Sequence, residues 1–310
     1  MDKGGSGKDH LLKAVAPKIL RRSILSPNGY HDSGDIITRF LDMGLKIGKS
    51  VQTTLVANAF DSEDTPTAMN ILGLMKEHGR DLDGHSYAVM LKGLRNSKDE
   101  EMIDDVLGMA WAKVEEVKDH FLAGEVLYWY YAQHVRKAAA TWDKEEKAKI
   151  HDEALVQLVS LYTRIYDSTP LEILGFANLV PADAWSVSAL TPALKPKPFI
   201  MNLMILAYTR ARILASESDN VEDDLASFGT NFRLYQRWWL LGTRRQLFPN
   251  VPVWISKLFT KMMQDPRTLT VFMHALGSQN STLYHAVKIL ERMEIGEFTH
   301  ENEAGQHHTT

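Results

Sequence analysis

The pattern of apolar residues in this chain repeats at a spacing of 35 residues. VQTTLVANAF, which begins at Val51, aligns with SYAVMLKGLR, which begins at Ser86. In this register Val56 falls on Leu91, and both segments have the apolar spacing of an amphipathic helix. The same shift aligns the apolar face of a second helix, in which Ala68, Ile71, Leu72 and Met75 fall on Ile103, Val106, Leu107 and Ala110. The sequence therefore predicts two copies of a unit that contains two helices.

A unit of this kind constrains the fold, because two amphipathic helices cannot bury their apolar faces alone. Such units stack on one another, as in α-solenoids. Short polar segments, SEDTP from Ser62 and RNSKDE from Arg95, separate the helices. No stretch shows the alternating pattern of a β-strand. We therefore predict an all-α fold, an irregular α-solenoid of helix-turn-helix repeats with flexible termini.

Composition narrows the possible functions. A formal net charge of −4 and a pI near 6.3 argue against a protein that coats nucleic acid over its whole surface, although one basic face is compatible with them. The absence of cysteine excludes disulfides and thiolate metal sites. No apolar run reaches the ~18–20 residues that span a bilayer. The longest candidate, PFIMNLMILAYTRARI from Pro198, is interrupted by polar residues, so we predict a buried helix there and no membrane span.

The first 33 residues differ from the rest of the chain. From His10 to His31 there is no acidic residue, and HLLKAVAPKILRRSIL can be drawn as an amphipathic helix that breaks near Pro17. This composition is typical of a mitochondrial targeting segment, and it is equally compatible with a solvated basic tail. We predict a mitochondrial location or otherwise a cytoplasmic one.

Prolines divide the remainder of the chain. Pro181, Pro192, Pro196 and Pro198 make residues 181–198 the clearest break, because proline removes a helix donor and disfavours the α conformation of the residue before it. We predict a flexible basic segment at 1–33, helical repeats at 34–180, a Pro-rich loop or linker at 181–198, further helical repeats at 199–297 and a disordered tail at 298–310.

Several local motifs accompany the period. They are Ser86-Tyr87 at the start of a first helix, Ala68…Leu74-Met75-Lys76-Glu77-His78-Gly79 at the end of a second, and the echo Ala286…Leu290-Glu291-Arg292-Met293. On these features the chain resembles the pentatricopeptide repeat (PPR) family. The resemblance is clearest over Ser50–Asp119 and weaker over Pro198–Gly296. The irregular, insertion-bearing style is similar to that of fungal mitochondrial members.

The resemblance implies a superhelix whose first helices bind single-stranded organellar RNA. In regular members two or three side chains per repeat read one base. Here the early readers would be Thr54 and Val89, and the late ones Gly84 and Asp119. Thr54 and Asp119 can hydrogen-bond a base edge, whereas Val89 and Gly84 cannot do so through a side chain, and Asp83 could replace Gly84. No RNA target sequence follows from these residues.

A second group of RNA-binding candidates lies between residues 231 and 264, a segment without any acidic residue. Cations neutralise phosphates and aromatic rings stack on bases, so the mixture suits single-stranded RNA. Alternatively, the aromatic residues form the core and the arginines face solvent. The basic residues are Arg233, Arg237, Arg244, Arg245, Lys257 and Lys261, and the aromatic ones are Tyr235, Trp238, Trp239, Phe248, Trp254 and Phe259. We select Trp238 as the stacking candidate.

The sequence offers no catalytic constellation. His78, His85, His274 and His285 do not form a helical metal pair, and there is no G-x-S-x-G motif. We therefore predict a non-enzymatic protein without cofactor, metal or small-molecule substrate. One hypothesis is a protein that binds single-stranded RNA in organellar RNA processing, stability or translation. The other is a helical scaffold that binds a protein complex, such as a respiratory-complex assembly factor or a ribosome-associated subunit.

Overall fold

The structure is a computed structural model, and it describes residues 6–26, 32–44, 47–97, 99–176, 180–182, 185, 194–215 and 221–277. Within these residues the chain is all-helical, as predicted, and the β-type pairing is one isolated bridge between Tyr166 and Leu194. The helices are α1 Ser6–Ser23, α2 Asp32–Asp42, α3 Lys49–Asp61, α4 Thr65–Glu77, α5 Gly84–Gly93, α6 Glu100–Val117, α7 His120–Ala140, α8 Lys144–Ile165, α9 Thr169–Leu174, α10 Pro198–Ala215, α11 Val221–Thr243, α12 Val253–Met263 and α13 Pro266–Gly277.

The chain forms two compact units, Met1–Val126 (unit 1) and Leu127–Thr310 (unit 2), and the boundary between them falls within α7. Most of the predicted Pro-rich segment at 181–198 lies outside the described residues, as does the tail at 298–310. The echo of the PPR motif from Ala286 to Met293 also lies outside them.

In unit 1 the sequence period corresponds to a structural period. α3 and α5 begin 35 residues apart, and so do α4 and α6. α3 packs against α4, α5 packs against α6, and α3 also packs against α5. Most of the aligned apolar residues are buried in both copies, among them Val56 with Leu91 and Leu72 with Leu107, whereas Ile71 is half-buried. Each helix pair therefore buries its apolar face partly within itself and partly against the next pair.

Aspartates set the starts of the second helices. The side chain of Asp64 accepts a hydrogen bond from the backbone N–H of Thr67, and Asp99 accepts one from Met102. Both aspartates lie in the polar segments that separate the helices, again 35 residues apart. An aspartate at this position satisfies a backbone donor that the first turn of a helix leaves open.

The helix pair α1–α2 precedes these two pairs, and its first helix, α1, packs against α3. Residues 6–23, part of the segment predicted to be flexible, form α1, which continues through Pro17 instead of breaking there. Ala16 and Leu20 of α1 are buried with Phe40 of α2 and Val51 of α3. α1 thus occupies the place of a first helix, since α1 packs on α3 as α3 packs on α5.

A buried polar network joins α1 and α2 to α3 at Asn58. The Asn58 side-chain amide donates to the Leu20 carbonyl oxygen at 2.8 Å and lies 3.4 Å from the Ser33 hydroxyl, and Asn58 Oδ1 accepts from Arg21 at 3.0 Å. Arg21 also pairs with Asp61. Asn58 itself is fully buried, so this network satisfies polar groups that water cannot reach.

In unit 2, α10 is the central helix. It packs against α8, α11, α12 and α13. Ile200, Met204, Ile205 and Tyr208 lie on different sides of α10 and are all buried, which confirms the prediction of a buried helix from Pro198. Backbone hydrogen bonds from Leu194 to Ile165 and from Asp167 to Leu194, both 2.9 Å, hold the chain just before α10 at the end of α8.

Within the described residues, no helix combines the length and the hydropathy that a bilayer crossing requires.

The contact between α3 and α5 predicts opposite effects for two glycines. The Phe60 ring covers Gly93 so closely that an added Cβ atom would overlap it, whereas Gly73, on the exposed side of α4, has open space. We expect Gly93→Ala to lower the free energy of unfolding by about 1–3 kcal/mol through overpacking. We expect Gly73→Ala to raise it by about 0.5–1 kcal/mol, because alanine has the higher helix propensity. Hydrogen exchange of peptides from α3, α4 and α5 measures both effects. Unchanged exchange of α3 and α5 in Gly93→Ala would contradict the packing.

Replacement of Asn58 tests the docking of α1. Asn58→Ala leaves the Leu20 carbonyl and Ser33 hydroxyl buried without this partner, so we expect a loss of about 1–3 kcal/mol in stability. Asn70→Ala, at an exposed position of α4, is the matched control and should change stability by less than about 0.5 kcal/mol. Hydrogen exchange of α1 peptides should rise in the first variant alone. Equal exchange in the two variants would show that the network does not hold α1.

Candidate nucleic acid interface

Three arginines share the solvent face of α11. Arg233 and Arg237 are one turn apart and exposed. The backbone N–H of Arg244 donates to the Leu240 carbonyl oxygen at 2.8 Å, which extends the helical turn beyond Thr243 and keeps Arg244 on the same stripe. The opposite face of α11 is buried. Because helical geometry fixes these positions, the three guanidinium groups follow one line along the surface.

Two lysines of α12 add to this charge. Lys257 and Lys261 are exposed and one turn apart, opposite a buried face that includes Phe259. The Thr260 hydroxyl donates to the Gly242 carbonyl oxygen at 3.1 Å. This hydrogen bond brings the part of α12 that carries Lys261 beside the end of α11. We call the surface of Arg233, Arg237, Arg244, Lys257 and Lys261 the basic face.

Among the described residues, no carboxylate neutralises the basic face. The segment 231–264 contains no aspartate or glutamate. None of the five cations forms an ion pair with another described residue, and Arg233 instead donates to the Thr230 hydroxyl at 3.3 Å. The sixth predicted cation, Arg245, starts a short 3-10 turn, Arg245–Leu247, and its side chain lies outside what the structure describes. Five unneutralised cations favour a polyanionic partner.

Arg237 also packs on the protein itself. Its guanidinium lies against Gly175, the residue that ends α9 with a φ of +92°. The last carbonyls of a helix carry partial negative charge, so a cation at this end of α9 is favourable. Arg237 therefore has both a solvent-exposed charge and a packing role.

Trp238 and Tyr235 belong to the core. Only 2% of Trp238 is exposed, and its ring centroid lies 4.9 Å from that of Phe272. Tyr235 packs edge-on against the same phenylalanine at 5.4 Å. Neither ring offers a free face to a base, so Trp238 supports α11 from within and does not stack. Of the other predicted aromatic residues, Trp239, Phe248 and Trp254 are half-buried, whereas Phe259 is buried.

A stripe of polar atoms is buried on the same inner face of α11. Asn231 Oδ1, the Tyr235 hydroxyl and Trp238 Nε1 have no hydrogen-bond partner in the part of the chain that the structure describes. Burial raises the pKa of Tyr235 to about 12. The phenol therefore stays neutral, which limits the free-energy cost of its burial.

The sequence prediction missed Lys195. Its ammonium lies 5.3 Å from the centroid of the Trp254 ring, a cation–π contact at the start of α12. Lys195 precedes Pro196 in the proline-rich segment, far from Trp254 in sequence. No spacing rule links the two positions, so the folded chain alone reveals the contact.

The base-reading candidates of unit 1 are held by local hydrogen bonds. The Thr54 hydroxyl donates to the Ser50 carbonyl oxygen at 2.8 Å. One Asp119 carboxylate oxygen accepts from the backbone N–H groups of Phe121 and Leu122, each at 2.8 Å. Asp83 caps α5 in the same way through Ser86.

Asp83 has a further local partner. Partial burial raises its pKa, but hydrogen bonds from Ser86 and the ammonium of Lys49 outweigh burial and lower the pKa overall. All three candidate readers thus serve the starts and turns of their own helices. These residues belong to unit 1, whereas the basic face belongs to unit 2.

No cluster of three or more histidine, aspartate or glutamate side chains with metal-binding geometry occurs within the described ranges. No protein-family model matches the chain, and no curated protein matches it at a significant level.

The burial of Trp238 gives a direct prediction. Trp238→Ala should lower the free energy of unfolding of unit 2 by about 3–5 kcal/mol, because it leaves a large cavity among aromatic rings. Trp142→Ala is the matched control, since Trp142 is 95% exposed and its loss should change stability by less than about 0.5 kcal/mol. Urea denaturation followed by circular dichroism compares the two. A stable Trp238→Ala protein would mean that the ring is not part of the core.

Proposed function

We propose that this chain is a non-catalytic, PPR-like helical-repeat protein that binds single-stranded RNA through the basic face of unit 2. The observation that carries the proposal is the line of Arg233, Arg237 and Arg244 on the exposed side of α11, extended by two lysines of α12. These cations have no carboxylate partner among the described residues. The phosphates of a nucleic acid would supply the missing negative charge.

The chemistry of the basic face favours the binding of single-stranded nucleic acid with little preference for its sequence. Guanidinium and ammonium groups contact phosphates, which are the same at every nucleotide. The half-buried ring of Trp254 lies one turn before Lys257 on α12 and could stack on an unpaired base. The buried Trp238 has no part in this.

Unit 1 supplies architecture in this proposal. Its three helix pairs stack first helix on first helix, which supports an irregular α-solenoid in this part of the chain. The candidate readers Thr54 and Asp119 are engaged in bonds to their own backbone. We therefore assign no base code to them, and we expect the affinity to depend on salt more than on RNA sequence.

The target and location rest on the family resemblance. We propose an organellar RNA and a mitochondrial site of action on the resemblance to PPR proteins and on the basic composition of His10–His31. Because α1 from this segment packs into unit 1, removal of residues 1–33 would expose the buried surface of Phe40 and Val51.

A second candidate function is a scaffold that binds protein. The observation that favours it is a pair of exposed apolar side chains at equivalent positions, Leu74 of α4 and Met109 of α6, each 44% exposed. Each follows a glycine with open space, Gly73 or Gly108. A repeated apolar surface of this kind suits contact with another protein.

A triple substitution tests the RNA proposal. Replacement of Arg233, Arg237 and Arg244 by glutamine should weaken binding to a labelled poly(U) strand and lower the slope of log K against log salt by about 2, since each lost contact with a single strand removes about 0.7. Fluorescence anisotropy at several salt concentrations measures both. The double variant Lys257→Gln, Lys261→Gln leaves the Arg237–Gly175 contact intact and should show a reduction in the same direction.

The matched control makes the same change in charge on unit 1. Arg39, Lys76 and Lys92 are exposed there, and their replacement by glutamine should leave the salt slope unchanged. Equal losses in the control and the basic-face variant would indicate a non-specific effect of net charge. A folded wild-type chain that fails to bind poly(U) at low salt would exclude the RNA function and leave the scaffold as the better proposal.

A further inference from the structure

The ring of Trp254 lies in line with two cations of the basic face. Trp254, Lys257 and Lys261 are spaced by three and four residues, so their side chains share one stripe of α12. The lysines are exposed and the ring is half-buried. Another side of α12 is buried, and its residues are Ile255, Leu258, Phe259 and Met262. The stripe therefore presents a ring and two ammonium groups on the same side of one helix.

A lysine from a distant part of the chain lies over this ring. The Lys195 ammonium is 5.3 Å from the centroid of Trp254. The residue before it, Leu194, donates its backbone N–H to the Ile165 carbonyl oxygen and accepts a hydrogen bond from the Asp167 N–H, both at 2.9 Å. These bonds hold the backbone next to Lys195 against the end of α8. α10, which follows Lys195, also packs against α12.

The ammonium of Lys195 is available to a partner outside the chain. Lys195 and Lys197 are exposed, and neither forms an ion pair with another described residue. A cation–π contact at an exposed site is weak. The flexible four-carbon stem of lysine allows the ammonium to move from the ring to a nearby phosphate, where it forms a stronger, charge-assisted hydrogen bond.

The order of these groups matches the chemistry of an unpaired nucleotide. Along this surface Lys195 comes first, Trp254 lies beneath it, and Lys257 follows about 4.5 Å further along the helix axis. A single strand offers a free π face on each base and a phosphate on each side of it, so it can use a ring and its neighbouring cations together. A polyanion without bases can use only the cations.

We propose that Trp254, Lys195 and Lys257 form a subsite for one unpaired nucleotide at this end of the basic face. The base stacks on Trp254, and the two lysines bind the phosphates next to that base. Lys197, two residues beyond Lys195, adds a further cation to the path of the strand. The inference rests on the proposed RNA function, and it makes the affinity depend on the presence of bases as well as on charge.

Trp254→Leu tests the stacking, because leucine keeps an apolar side chain and removes the π face. We expect poly(U) to bind about fivefold or more weakly. Inorganic polyphosphate, which carries charge without bases, should bind as it does to the wild type. Trp254→Phe keeps a ring and should restore most of the affinity for poly(U). Fluorescence anisotropy of labelled poly(U), with unlabelled polyphosphate as competitor, measures both affinities of the full chain.

Two control variants match these changes elsewhere in the chain. Trp142→Leu removes an exposed ring and should leave both affinities unchanged. Lys195→Gln should lower the slope of log K against log salt for poly(U) by about 0.7, the value of one contact with a single strand. Lys137→Gln makes the same change in charge at an exposed position of α7 and should leave the slope as it is.

Three results would overturn the subsite. Unchanged poly(U) binding by Trp254→Leu would mean that the ring takes no part. Equal losses of poly(U) and polyphosphate binding in this variant would mean that the ring supports the surface without contacting a base. Both results leave the RNA function in place, because the glutamine variants of the α11 arginines test it separately. Failure of the folded wild-type chain to bind poly(U) at low salt would remove the RNA function and the subsite together.

Discussion

Contact between successive first helices is the interaction on which unit 1 depends. α1, α3 and α5 pack in that order, and the second helices α2, α4 and α6 cover them. Positions 58 and 93 are equivalent in the 35-residue register, and each faces the preceding first helix. At position 93 a glycine admits the Phe60 ring, and at position 58 an asparagine binds the Leu20 carbonyl. The repeat thus preserves the position of a contact while its chemistry changes, which explains why repeats can diverge in sequence and still stack.

The repeated position of these contacts also explains which helices could be predicted from the sequence. α3 to α6 were predictable because their apolar residues recur at one spacing and because aspartates begin α4 and α6. α1 as part of the fold was not, because its described contacts bury little more than Ala16 and Leu20 and depend otherwise on polar bonds to Asn58. Its basic composition resembles a solvated tail. α1 continues through Pro17, so packing in the folded chain outweighs the helix-breaking tendency of proline at this position.

The candidate sites were predictable to different degrees for a physical reason. A run of cations without acids must face solvent or an anion, so the sequence could locate the basic face on α11 and α12. It could not separate Trp238 from Trp239, because neighbouring rings on a helix differ in burial only through the helices that cover them. The contact of Lys195 with the Trp254 ring could not be predicted at all, because the two residues are far apart in sequence and only tertiary packing joins them.

Solvent exposure determines what kind of anion the basic face can bind. Its cations lie in water, where one pair of unit charges 4 Å apart is worth only about 1 kcal/mol and salt screens it further. Several phosphates in a row are needed to make such contacts add up, which is why this surface suits a polymer. The basic face therefore responds to the density of charge on its partner and not to the shape of a single anion.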